Sequence, residues 1–177
     1  MIFEKAGAST GTAMLEAVAV GVTNLIFTIL AMFFIDKVGR RPLLMIGVVG
    51  MFVSLSLAAL HYYDGSLVSD TARVISILGF VAFFAFSQGA VIWVFLSEIF
   101  PNKIRSKGLA LGSFVDWIVN AVIGLVFRLA LTHFGGGEVS MFFALLMILF
   151  FFFVLKVMPE TKGKSLEELE KIVVLEK

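Results

Sequence analysis

Five apolar runs decide what this chain can become: about Thr12–Ile35, Pro42–Tyr63, Ala72–Phe100, Ser106–Leu131 and Val139–Met158. Each is long enough for the roughly 20 residues a helix needs to cross a bilayer. Inside lipid every backbone N–H and C=O must be satisfied within the protein, so runs of this length and without alternation are read as helices. Composition agrees: 60% of residues are hydrophobic and 15% charged, against about 45–50% and about 25% in a soluble domain. The surplus is a lipid-facing exterior rather than a larger core. The expected fold class is all-α, a polytopic membrane helix bundle with five transmembrane helices.

Prolines punctuate the runs. Pro42 fits the first turn of its helix, where a missing N–H costs nothing. Pro101 and Pro159 mark ends, because the residue before a proline is pushed out of the helical region. The connections Asp36–Arg41, Asp64–Thr71, Pro101–Arg105 and Thr132–Glu138 are short, as antiparallel neighbours require. Charge then assigns sides. The loop at Asp36–Arg41 holds three basic residues, the segment around Pro101 three, and the tail from Lys156 five, which is 11 of the 14 Lys and Arg. All three fall on one side if the chain crosses at each run; the other side has only Lys5, Arg73 and Arg128. The positive-inside rule makes the basic side cytoplasmic, with the N-terminus outside and the tail inside. An odd number of crossings that starts outside leads us to expect a preceding segment. In the tail, Ser165 and Glu168 form a capping-box pattern. Leu166, Leu169 and Val173 share a face at helical spacing, so a short cytoplasmic amphipathic helix is expected, resting under the bundle or docking a partner.

The third run ends in a distinctive way. Ser87 to Arg105 passes a tryptophan, delivers Glu98 to the last helical turn, stops at Pro101 and continues into Lys103, Arg105 and Lys107. A carboxylate there faces the negative end of the helix macrodipole and needs a cation. Arg105, seven residues on across the proline-broken turn, is placed to fold back as that cation.

Other polar groups lie deep in the spans, where a central charge costs about 2.5–3.5 kcal/mol on insertion scales. Asp116 stands about ten residues into its run, roughly 15 Å from the inner end at 1.5 Å per residue. Ser113, Asp116, Trp117, Asn120 and Gly124 share one helical face, which suits a partner helix or a wet cavity rather than lipid. Asp116 has two readings, a substrate or proton contact and a satisfied packing group. Trp93, with Gln88 and Gly89 one turn back, is either an interface anchor or a stacking platform for a ring. Asn24 is expected to hydrogen-bond between helices, and Gly108-x-x-x-Gly112 to allow close helix approach. Glu16 and Arg128 lie near outer ends and are expected to snorkel. Phe142, Phe143 and Phe150 to Phe153 read as lipid-facing bulk. The chain has no cysteine, which excludes disulfides, zinc–thiolate sites and thiol catalysis. No nucleophile–base pair, metal-ligand spacing or phosphate loop occurs, so we expect neither an enzyme, nor a cofactor, nor a nucleic-acid partner.

Three local patterns occur in order: Asp36-Lys-Val-Gly-Arg-Arg-Pro42 between two spans, Glu98 and Arg105 seven apart around Phe100-Pro101, and Pro159-Glu-Thr-Lys-Gly163 after the last span. Together they resemble the sugar porter family of the major facilitator superfamily. The resemblance covers nearly the whole chain. It corresponds to the family's C-terminal half from the end of the seventh helix through the twelfth, with residues 1–158 as that half and 159–177 as a cytoplasmic tail. It implies a carrier working by alternating access, with a sugar near the midplane between two six-helix halves. Asp36, Arg40, Arg41, Glu98 and Arg105 match the family's cytoplasmic salt-bridge groups, and Glu160 matches the acid of its tail motif. Trp93, with Gln88 beside it, falls where the family keeps a sugar-contacting tryptophan. Asp116, Trp117 and Asn120 fall on a sugar-facing segment of the eleventh helix. Two departures stand out. Ala90 and Ile92 replace prolines found in many members, and Asp116 stands where the family more often has an uncharged or weakly basic group. A carboxylate accepts hydroxyl hydrogen bonds, and it adds a proton as a second candidate substrate.

The resemblance therefore implies a sugar substrate, a plasma-membrane location (the inner membrane in a bacterium) and an N-terminal transporter half as partner. It implies no transport by this chain alone. The other reading is a membrane interaction or structural protein derived from a transporter half.

Overall fold

The computed structural model describes residues 10–63 and 70–164, and these form six helices. They are α1 (Thr10–Val38), α2 (Arg40–Tyr63), α3 (Asp70–Phe86), α4 (Gln88–Ile99), α5 (Arg105–His133) and α6 (Gly136–Lys156). Among the described residues there is no strand. Five segments are long and apolar enough to cross a membrane, α3 and α4 counting together as Ala72–Ile99. The molecule is a polytopic bundle of membrane-crossing helices, and the expected tail helix lies outside the described residues.

The turns follow from local chemistry. Gly39 alone separates α1 from α2, at φ 105°, a backbone region that side-chain-bearing residues avoid. Pro42 is the third residue of α2, among the first four positions whose N–H groups have no helical acceptor. Phe100 is extended, with φ −93° and ψ 129°, because Pro101 follows it. Gly135 opens the last turn at φ 92°, and α6 begins at Gly136, earlier than the run at Val139 suggested.

The third run differs from expectation in one respect. It is broken at Ser87, whose φ of −118° and ψ of −88° are not helical. Apolarity sets the length of a span and says nothing of its continuity, so the run alone carried no sign of the break.

α2 is the central element, packed against α6 and α3, with α1 resting on α3. Ile35, Leu43, Leu44, Val91, Val154 and Met158 form the core cluster, with Val94, Phe95 and Phe150 against it. Ile35, Leu43, Leu44 and Val154 lie toward the helix ends that carry the basic connections, Met158 just past α6, and Val91 in the first turn of α4. Phe150 therefore packs inward rather than toward lipid, while Phe142, Phe152 and Phe153 are exposed. α5 leans on α4 and α6, and Gly108 is its one buried residue. Asn24 is exposed and makes no interhelical hydrogen bond among the described residues, because no helix covers its side of α1. Arg128 is exposed, whereas Glu16 keeps Oε2 buried without a hydrogen-bond partner.

Candidate functional site: a charged latch and an open polar face

At the basic end, three separated segments converge on two carboxylates. Arg40, the first residue of α2, is 8% exposed. Its Nη2 donates to Glu98 Oε1 at 2.6 Å and its Nε to Glu98 Oε2 at 3.1 Å, a two-pronged pair across the bundle. Its Nη1 reaches Ile35 O at 3.2 Å and Asp36 Oδ1 at 3.0 Å. A planar guanidinium meeting both oxygens of one carboxylate is the strongest form of this interaction. Thr161, buried at 3%, donates its hydroxyl to Glu98 Oε2 at 2.6 Å.

Glu160 plays a different part. Its Oε1 accepts the backbone N–H of Arg40 at 3.0 Å, and Oε2 that of Arg41 at 3.0 Å. Lys162 N–H also donates to Oε1 at 3.0 Å. The carboxylate thus caps the N-terminus of α2 from 120 residues away, where an anion also meets the positive end of the macrodipole. The approach is close: a Cβ on Gly39 would come within 2.9 Å of Glu160 Oε2. The Arg41 Nη2 donates to Leu155 O, and Lys162 Nζ to Lys37 O, so main-chain acceptors complete the tie between tail and loop.

This arrangement corrects the expectation for Arg105. Glu98 is held by Arg40 and Thr161, not by Arg105, whose Nε and Nη2 are buried with no acceptor among the described residues. The reason is geometric: Pro101 and the turn to Ile104 carry the chain away before α5 starts at Arg105, while Gly39 brings Arg40 directly onto the end of α4. Asp36 reaches only Arg40 and its side chain is 77% exposed. Thr161 and the capping role of Glu160 were not foreseen. The one available signal was the pairing of an uncapped helix start after a glycine with an acid in a proline-bounded tail.

The second group lies on α4 and α5. These antiparallel helices touch where Gly108 meets Phe100 and Gly112 meets Leu96; a Cβ would come within 2.5 Å and 2.7 Å of those side chains. Beyond Gly112 the helices separate, and Gly124 has nothing within 4 Å of where its Cβ would be. Gly108, Gly112 and Asp116 follow one another at i, i+4 and i+8, so Asp116 is the next residue along this seam. On α4, Trp93 is one turn beyond Leu96, with Gln88 and Gly89 a further turn on. Trp93 is 40% exposed and Trp117 71%, while Asp116 and Gln88 are half-buried and Asn120 is exposed. Asn120 Nδ2 donates to Asp116 O at 2.9 Å, which fixes one amide proton within the helix. Gln88 and Trp93 thus lie on α4, and Asp116, Trp117 and Asn120 on α5; among the described residues no hydrogen bond joins the two sets. Among the described residues no group of His, Asp and Glu converges as a metal site.

Comparison with known proteins places this geometry. The family described as "Sugar (and other) transporter" matches residues 1–173. The D-xylose-proton symporter of Escherichia coli (strain K12) is 40% identical over 175 residues, 96% of this chain and 35% of that protein. The arabinose-proton symporter of Bacillus subtilis (strain 168) is 38% identical over 171 residues, 97% of this chain and 37% of that protein. Among solved structures, a double-Trp mutant of XylE has a TM-score of 0.87 at 40% identity, covering 97% of this chain and 37% of that one. The inward-open conformation of the xylose transporter XylE from E. coli gives 0.83 at 38% identity, covering 92% of this chain and 36% of that one. The chain spans little more than a third of the length of these relatives. It belongs to the sugar (and other) transporter family, the sugar porters of the major facilitator superfamily.

Proposed function

We propose that this chain is the C-terminal half of a sugar porter and carries one wall of its sugar path. The substrate is a small neutral sugar of the pentose or hexose class, moved together with a proton, a reading supported by the xylose–proton and arabinose–proton symporters and a glucose transporter among its relatives. Gln88, Trp93, Asp116, Trp117 and Asn120 contact the sugar, the indoles by stacking on its C–H faces and the others by hydrogen bonds to hydroxyls. Asp36, Arg40, Arg41, Glu98, Arg105 and Glu160 form the gate at the cytoplasmic side. The N-terminus lies outside and the tail inside, a reading the distribution of Lys and Arg supports. An N-terminal half completes the cleft, and an acid from it meets the open valences of Arg105.

One observation supports the reading: tryptophans stand exposed on α4 and α5 of a bundle whose basic end is closed by a charged latch, in a chain of a known carrier family. Alternating access needs motion of one half against another, so this polypeptide alone does not transport. The test is uptake of labelled xylose, arabinose and glucose into proteoliposomes, with the chain alone and with the chain co-reconstituted with the N-terminal half of the E. coli xylose symporter. No uptake in the first case and uptake in the second support the proposal. Uptake by the chain alone would refute it.

A further inference from the structure

The break at Ser87 lies inside the membrane, and neither proline nor glycine occupies it. The hydrogen bonding changes at the same place. Ser87 Oγ donates to Phe83 O at 2.7 Å, while Ser87 N–H is shared between Phe83 O and Phe84 O, 3.2 Å from each. A serine that bonds back to the carbonyl four residues earlier bends the helix that carries it. Regular bonding resumes with Val91 N–H to Ser87 O at 2.8 Å.

The bend needs a seat. Ser87 is 0% exposed, and the surface facing it is Gly47 of α2. A Cβ at Gly47 would overlap the Oγ and Cβ of Ser87 outright. One turn along α2, Gly50 receives the ring of Phe83, which supplies the carbonyl that Ser87 bonds. Small residues that let two membrane helices approach to backbone distance are a common packing device. Here the notch receives the one residue at which the neighbouring span changes direction.

We propose that Gly47 is a positioning residue that forms a knob-in-notch joint with Ser87, and that this joint sets the direction of α4. α4 is 12 residues long with Val91 as its one fully buried side chain. It carries Gln88 and Trp93 and ends one residue past Glu98 of the latch. Ser87 and Glu98 therefore pin α4 to α2 at two points, eleven residues or ~16 Å apart at 1.5 Å per residue. The joint does the work that proline chemistry would otherwise do at Ala90 and Ile92. This extends the sugar-face reading by identifying what aims Trp93, and its test needs no sugar.

The chain has two tryptophans, so Trp117→Phe leaves Trp93 as the sole reporter. In nanodiscs, Gly47→Ala in that background shifts Trp93 emission and changes its acrylamide quenching. Gly47→Ala combined with Ser87→Gly returns both toward the parent, because glycine removes the overlapping atoms and tolerates the broken backbone. Gly136→Ala, a packing lesion at the other end of the bundle, lowers thermal stability without moving Trp93. Should Gly47→Ala fail to insert, Ser87→Ala decides: it keeps the Cβ in the notch, loses the back-bond and moves Trp93 as well. Unchanged Trp93 signals in Gly47→Ala and Ser87→Ala, or no recovery in the double variant, overturn the proposal. Failure of the sugar reading shows separately, as absence of any sugar-dependent change in Trp93 emission in the parent complex with its second half.

Discussion

Replacing Arg40 with alanine removes the cation that holds Glu98 through two bonds, and the consequence can be sized. The two side chains are 10% and 22% exposed, so the pair is largely withdrawn from solvent. Removing one partner of a buried pair costs about 3–5 kcal/mol, mostly because the other charge stays buried; the exposure of Glu98 puts Arg40→Ala near the lower end. Glu98→Ala strands the guanidinium and the Thr161 hydroxyl together, with a similar loss expected. The double variant leaves no orphaned charge, only the Thr161 hydroxyl without its acceptor, and costs about as much as either single one. That gives a coupling of about 3 kcal/mol, the size of one single loss. The assay is equilibrium unfolding in mixed micelles, followed by tryptophan fluorescence, for all four corners of the cycle. Losses that add to within about 0.5 kcal/mol would refute the latch as a coupled unit. Arg105 supplies an internal control. If it swings in when Arg40 is gone, Arg105→Ala costs more in the Arg40→Ala background than in the parent.

The cap on α2 is tested at both partners. Glu160→Ala removes the acceptor for two α2 N–H groups and is expected to lower stability by about 1–2 kcal/mol, the range for a lost N-cap; Glu160→Gln, which keeps one acceptor oxygen but no charge, should fall between it and the parent. Gly39→Ala forces a side chain into positive φ and toward Glu160 Oε2, at about 1–2 kcal/mol for the backbone alone, and the measurement is again micellar unfolding. At the opposite end the ring of Tyr62 lies on Gly136, where a Cβ has no room; Gly136→Ala should cost about 1–3 kcal/mol as overpacking. Tyr62→Ala in the same chain should recover most of that loss.

What could be read from the sequence divides along a physical line. The crossings were legible because hydrophobic transfer acts on each run independently of its neighbours, and Thr12–Ile35 or Val139–Met158 needs no partner to declare itself. The family patterns at Asp36, Glu98 and Pro159 were legible as groups but not as pairs. Whether Glu98 meets Arg40 or Arg105 depends on where Gly39 and Pro101 send the chain, and both cations satisfy the same electrostatic demand. Glu160 was legible as the acid of the tail motif, but its capping of the start of α2 was not. Ser87 was invisible for a related reason. A serine within an apolar run is ordinary, and the bend it makes depends on a glycine forty residues earlier in a different helix.

These two blind spots meet in α4. Its ties to α2 include a polar joint at Ser87 and a charged latch at Glu98, and between them lies a single fully buried residue, Val91, with Val94 and Phe95 packed beside the core. The large buried side chains elsewhere, Leu43, Leu44, Val48, Met51 and Val154, lie on α2 and α6, whose contact is extensive and apolar. Opening the Arg40–Glu98 pair would therefore release the segment that bears Trp93 while leaving the α2–α6 contact intact. Apolar packing is close-fitting and resists graded deformation, whereas a charged pair at a membrane boundary has water and alternative partners within reach. The energetic division suits a carrier half: a rigid α2–α6 frame, and a short helix held to it by bonds that can be exchanged.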